Sequence, residues 1–287
     1  MKRARSGDDR VRHHRSRAIL RFIAAALCAG FLAGGLLAEA LGQGKGGRGG
    51  AGSIAPTRSQ EDFEQLGQIT VGLVPVYPTA ARCPEISSPF GSPTRYDGSP
   101  RANDHFGFHN GMDLTAAPGT PLLAVAAGDV VHAGQGGMLV GNFIWLRHRP
   151  EDTGLPVYLY SRYQHLDKPS PHAVGARLAV GDVVGPAGKT GTVGGYYGPN
   201  GYSHLHLLLH AIDGPDYSIR EAIVDGPGRR ILDPLALYLD PSAPFDNHAL
   251  RDLPAARKRV TIPYQTTDGA RQPAATRMIW PLACARP

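Results

Sequence analysis

Between Ile86 and Leu239 the chain is divided into short runs rich in β-branched, aromatic and leucine residues, each closed by glycine or proline. They are PLLAV (121–125), DVVHA (129–133), NFIWLRH (142–148), PVYLYSRYQHL (156–166), DVVG (182–185) and SHLHLLLH (203–210). Runs of this length separated by turn residues read as strands, and their repetition implies an all-β sheet, sandwich or barrel. No amphipathic helix longer than three turns is evident, and YSIREAI (217–223) makes at most a short one.

The ends differ in composition from this middle. Eight of the 30 Lys and Arg fall within residues 1–40, ahead of and at the start of the apolar run FIAAALCAGFLAGGLLAEAL (22–41). A basic head and an apolar stretch followed by Ala38-Glu39-Ala40 have the form of an export signal. The run is also about long enough to span a bilayer, so both removal of 1–41 and its retention as a membrane anchor are open. Leu27 precedes Cys28, where lipoprotein signals carry a small residue, so lipid attachment is not expected. Without residues 1–40 the remainder carries 22 basic against 21 acidic residues. Five of the six units of formal charge therefore belong to the N-terminus, and no nucleic-acid partner is expected.

Residues 42–80 open on GQGKGGRGGAGS (42–53), a flexible linker with no apolar periodicity, and form a lead-in. The folded domain is expected over 81–240 and an irregular tail over 241–287. Cys83 and Cys284 are the two cysteines beyond the signal. In an oxidising compartment they are expected to pair, the alternative being two separate thiols.

Ten of the twelve histidines lie beyond the N-terminal segment. Strand period places His204, His206 and His210 on one face of SHLHLLLH and Leu205, Leu207 and Leu209 on the other. FGFHNGMDL (106–114) adds His109 and Asp113, four apart. HxxxD alone is weak, but with HxH on a later strand it offers two imidazoles and one carboxylate. That is the ligand number of a catalytic zinc with a position left for water. GPAGKTG (185–191) is not a phosphate loop, since the required glycine is Val183, and no HExxH, SxxK or GxSxG occurs.

Order and spacing of these motifs resemble the lysostaphin/LytM-type zinc endopeptidases, the duplicated hybrid motif fold. The resemblance runs from about Phe90 to Leu239. It takes in FHNGMDL, APGTPLLAVAAGDVVHAG, Gly141-Asn142, YSRYQHLDK, VGDVVGPAGKTG, SHLHLLL and ILDPLALYL. It implies an antiparallel β-sheet or sandwich with a shallow groove and one Zn2+ per chain held by His109, Asp113 and His206. His165 and His204 become catalytic histidines that do not hold metal, with their two roles not distinguished. It further implies hydrolysis of peptide cross-links in bacterial peptidoglycan, with D-Ala-diaminopimelate bonds ahead of glycine bridges, by a monomer exported to the periplasm or cell envelope.

One departure stands out. Where relatives carry proline just before HLH, this chain has GTVGGYYGPNGYSHLH, a longer loop whose Tyr196, Tyr197 and Tyr202 are expected to line the substrate groove. His105 is read as a surface loop residue and His210 as a rim or supporting residue. His132, His148, His172 and His248 have no partner at metal-ligand spacing. The rivals are a degenerate relative that activates amidases, which loses ligands where all five positions stand here, and a glycan-binding β-domain.

Overall fold

The computed structural model describes residues 59–101, 107–192 and 202–287. The export signal or anchor, the glycine linker, His105, Tyr196 and Tyr197 lie outside the described residues.

The architecture is mostly β and antiparallel, as the runs imply. Its strands are β1 (Val74–Val76), β2 (Ile86–Ser88), β3 (Met112–Thr115), β4 (Pro121–Leu123), β5 (Gly128–Gln135), β6 (Asn142–His148), β7 (Tyr158–Leu166), β8 (Arg177–Leu178) and β9 (Val183–Pro186). They continue as β10 (His204–Ile212), β11 (Ser218–Arg220), β12 (Ile223–Asp225), β13 (Arg230–Leu232), β14 (Arg259–Thr261), β15 (Tyr264–Gln265) and β16 (Arg271–Gln272). The central sheet runs β2-β3-β10-β7-β6-β5-β8, with β13 pairing with β10 beyond β3. Among the described residues helices are short, the longest being α1 (Gln60–Gln65), whose Ser59 and Asp62 form a capping box. Among the described residues no helix is long and apolar enough to cross a membrane.

β10 sits at the centre because both its faces are covered. Leu205, Leu207 and Leu209 are fully buried in the core with Tyr163, Leu146 and Leu235. Burying each leucine stabilises by about 1.5–3 kcal/mol relative to exposure, which fixes the side of the strand that faces inward. The opposite, histidine-bearing face is buried too, and the sequence pattern does not show its cover. Part of that cover is the β11–β12 hairpin.

The hairpin corrects the expectation of a short helix at 217–223. Ser218 pairs with Asp225 and Arg220 with Ile223, and the turn passes through Glu221 at φ 55°. Ala222 O then accepts from Trp145 Nε1 (2.9 Å) and Arg162 Nη1 (3.0 Å), which anchors the hairpin to the sheet. His210 is consequently not a rim residue. It is buried beside Trp145 with Nδ1 donating to Val224 O, and burial holds it well below the usual histidine range.

Residues 241–287, expected as an irregular tail, hold α2 (Asn247–Arg251) and β14 to β16. β14 pairs in parallel with β1, and Val260, Ile262, Ile279, Trp280 and Leu282 are buried. Ile279 N donates to Val125 O while Val125 N donates to Tyr163 Oη. The segment therefore packs on the core side of the sheet, away from the histidines. Cys83 and Cys284 are joined in a disulfide across a sequence separation of 201 residues, as expected. Closing a loop of that length restricts the unfolded chain. Replacing Cys284 by Ser should lower unfolding stability by about 3–5 kcal/mol, read as a shift of the denaturant midpoint with unchanged slope. An unchanged midpoint would show the bridge to be energetically idle.

Candidate zinc centre

The site is assembled by strand register. His206 of β10 stands opposite Asp113 of β3, and cross-strand partners share a face, so imidazole and carboxylate meet: His206 Nδ1 lies 2.9 Å from Asp113 Oδ1. His109 precedes β3, its backbone pinned by His109 N donating to Ser92 O and Gly91 N donating to His109 O. Its Nδ1 donates to Pro89 O at 3.0 Å, which fixes the tautomer and leaves the Nε2 lone pair facing inward. That nitrogen lies 3.1 Å from Asp113 Oδ1 and 3.1 Å from His206 Nδ1.

Three donor atoms thus form a triangle with edges of 2.9–3.1 Å. Tetrahedral zinc with ligands at 2.0–2.1 Å requires edges of about 3.3 Å. A few tenths of an ångström of adjustment would seat the ion, so the residues fit it. All three side chains are buried, as the sequence-predicted ligand set requires. Burial alone would raise the Asp113 pKa, but the neighbouring His109 and His204 imidazoles hold it well below the carboxylate range. The carboxyl is therefore anionic at neutral pH. Gly111 completes the fit, because a Cβ there would come within 2.5 Å of His206 Nε2.

His165 reaches the site by breaking strand alternation. Its neighbour Gln164 is paired with His206, so in a regular β7 the next side chain would point to the core. A register shift in the β6–β7 ladder and a left-handed φ of 62° at His165 redirect it. Its Nδ1 donates to Thr190 O at 2.8 Å. That carbonyl is held where Gly141 and Gly191 cross: a Cβ on Gly141 would sit 2.0 Å from Thr190 O. The Gly141-Asn142 and Thr190-Gly191 motifs are thus a support for His165.

His204 is fixed in parallel fashion, with Nδ1 donating to Tyr202 O at 2.9 Å. Its Nε2 stands 3.7 Å from Asp113 Oδ1, and its ring centre 4.6 Å from that of His165. Burial lowers the His204 pKa, and the Asp113 charge opposes that shift.

Tyr202 takes a different place from the one expected. Its ring stacks on His204 (4.0 Å, 9° between planes) and its hydroxyl donates to Asp113 Oδ2 at 3.2 Å. Burial, then the Asp113 charge, push its phenol up, so it remains a donor. Two contributors escape sequence reasoning. Ser88 Oγ lies 3.4 Å from His109 Nδ1, and the buried Arg101 donates to Ser88 Oγ at 3.0 Å with Nη2 3.8 Å from Asp113 Oδ2. Neither stands at a motif spacing. Of the remaining histidines, His148 is a core residue, with Nδ1 donating to Ala127 O and Nε2 accepting from Ser161 Oγ. Its burial lowers its pKa to about 4.

Residues 107–215 match the model of Peptidase family M23, a span that contains all five site residues. Similar solved structures include the catalytic domain of lysostaphin from Staphylococcus simulans, at 25% identity over 47% of this chain and 81% of that chain, TM-score 0.34. LytU is 24% identical over 55% of this chain and 86% of its own, TM-score 0.37. A zinc containing peptidase from Vibrio cholerae is 24% identical over 53% of this chain, TM-score 0.33, and the chain spans 39% of that protein's length. No curated protein matches the chain. Residues 107–215, which build the triangle, are thus similar to Peptidase family M23, and the domain is a zinc metallopeptidase, a hydrolase.

Asp113→Ala removes the anionic member of the set and should leave the purified protein with well under one zinc per chain, measured by elemental analysis. One zinc retained per chain would contradict the ligand assignment.

Proposed function

We propose that the chain is an endopeptidase of the bacterial cell envelope that cleaves peptide cross-links of peptidoglycan, with D-Ala-diaminopimelate bonds as its substrate. The observation that carries the reading is the convergence of His109, Asp113 and His206, with His165 and His204 beside them. When bound, zinc would polarise the scissile carbonyl and lower the pKa of water towards about 7.

The chain's own residues supply the proton transfers. His204, neutral and with Nδ1–H committed to Tyr202 O, presents Nε2 as the acceptor for the proton of the attacking water. Its Nε2 lies 3.7 Å from the Asp113 carboxylate, whose charge supports the imidazolium formed when it takes that proton. His165, with Nδ1–H committed to Thr190 O, can in its protonated form donate Nε2–H to the developing oxyanion. The proton taken by His204 passes to the leaving amine as the C–N bond breaks, so the added water is divided between the two products. The exposed Tyr96, whose ring packs 3.8 Å from that of Tyr202, offers stacking area at the mouth of the site. Residues 1–41, as an export signal or anchor, would deliver the domain to this substrate, where it acts as a monomer.

The test is digestion of intact sacculi by the zinc-loaded protein, with products identified by mass. Cross-linked dimers should be converted to monomers, stopped by a chelator and restored by zinc. Glycan strands stripped of peptides at the lactyl amide would make the protein an amidase. His165→Ala and His204→Ala should each lose about 10² or more in rate while keeping zinc. Loss of zinc from His204→Ala would mean that the other histidine of the pair is the ligand. The pH profile should be bell-shaped, with an optimum between about pH 6.5 and 8.5. Because burial lowers His204, its acid limb should lie below the usual histidine value of about 6.5. A limb above that value would exclude His204 as the base.

A further inference from the structure

Tyr202 touches both halves of the site. Its hydroxyl donates to Asp113 Oδ2 at 3.2 Å, while Asp113 Oδ1 is the oxygen facing the two imidazoles at 2.9 and 3.1 Å. Its ring lies 4.0 Å from that of His204 and 9° from parallel, and its backbone carbonyl accepts from His204 Nδ1 at 2.9 Å. On the other side the Tyr96 ring packs at 3.8 Å, so three rings run in series from the surface to His204.

We propose that Tyr202 is a positioning residue that fixes the metal-binding carboxylate and the proton-accepting imidazole relative to each other. A carboxylate free to rotate can offer either oxygen or both to a cation. Holding Oδ2 with a hydroxyl leaves Oδ1 as the single presented donor, in the orientation that matches His109 and His206. Arg101 supplies positive charge near the same oxygen but at 3.8 Å, beyond hydrogen-bond reach, so the phenol is the directional contact. Stacking restricts the other freedom left to His204, rotation of its ring about the bond to Cβ. With Nδ1 tied to the Tyr202 carbonyl and one face covered by the Tyr202 ring, Nε2 is held toward the site. A single residue thereby couples the geometry of ligand and base, and the coupling uses hydroxyl and ring separately.

The proposal rests on His109, Asp113 and His206 as the zinc ligands, and the two can be tested apart. Zinc affinity of the full chain, purified in mild detergent, is measured by competition with a chromophoric chelator for the parent, Tyr202→Phe, Tyr202→Leu and Asp113→Ala proteins. Thermal unfolding of each metal-free protein is recorded alongside. Tyr202→Phe keeps the stack and loses the hydroxyl. It should bind zinc about 10- to 100-fold more weakly, the range for removal of an outer-shell partner, with metal-free unfolding unchanged. Tyr202→Leu should show the same loss of affinity and, at saturating zinc, a kcat at least about 10-fold below that of Tyr202→Phe, since an unsupported His204 is a less well placed base. Parental zinc affinity in Tyr202→Phe, or an affinity loss matched by destabilised metal-free protein, would overturn the proposal. In the first case loss of zinc from Asp113→Ala would leave the ligand set standing. Retention of zinc by Asp113→Ala would instead remove the ligand set and the proposal with it.

Discussion

The site depends on one register, the pairing of β10 with β3 that sets His206 opposite Asp113. Side chains alternate along a strand with period two, so a slip of one residue would send both histidines into the core and the leucines onto the metal face. The register is held by apolar burial, not by the polar groups it brings together. Leu205, Leu207 and Leu209 are fully buried, and exposing any of them costs more than an ungoverned His–Asp contact returns in water. The core therefore chooses the face, and the metal site inherits it. With β7 pairing on the other edge of β10, the same register also brings Gln164, and hence His165, beside His206.

Around that strand the protein departs from regular geometry where its chemistry requires it. His165 adopts a left-handed backbone in the irregular stretch of the β6–β7 ladder, a conformation unfavourable for a non-glycine residue. Its cost is offset by the Nδ1 bond to Thr190 O and by the glycine crossing at 141 and 191 that holds this carbonyl in reach. Every site imidazole but His206 has its Nδ1 committed to a backbone carbonyl: Pro89 for His109, Thr190 for His165 and Tyr202 for His204. These bonds fix tautomers, so the inward nitrogens are acceptors before any metal or substrate arrives. The disulfide and the buried C-terminal segment close the core side, leaving the histidine face to the loops and the β11–β12 hairpin.

The β-rich fold was legible in strand period and turn residues, and HxH with HxxxD offered a candidate donor set, while the choice of His206 over His204 as ligand is what the family resemblance implies. What was not legible depends on long-range packing. YSIREAI reads as a short helix in isolation, but the Ala222 carbonyl is needed by Trp145 and Arg162, and the hairpin turn presents it to both. The proline-rich 241–287 segment carries little periodicity, yet Trp280 and its neighbours are buried against the core. Arg101 and Ser88 support the ligands through contacts that no local spacing announces. Tyr202 was visible as an aromatic near the site, but not its attachment to Asp113, because that bond joins residues 89 positions apart.

The central claim is that three side chains, brought together by one strand register, hold a single zinc. Diffraction from crystals of the zinc-loaded protein at the zinc absorption edge tests it most directly. The account predicts one anomalous peak about 2.0–2.1 Å from His109 Nε2, His206 Nδ1 and Asp113 Oδ1, with His165 and His204 outside bonding distance. A peak bonded to His204 in place of His206, or no peak at this group while zinc is bound elsewhere, would contradict it.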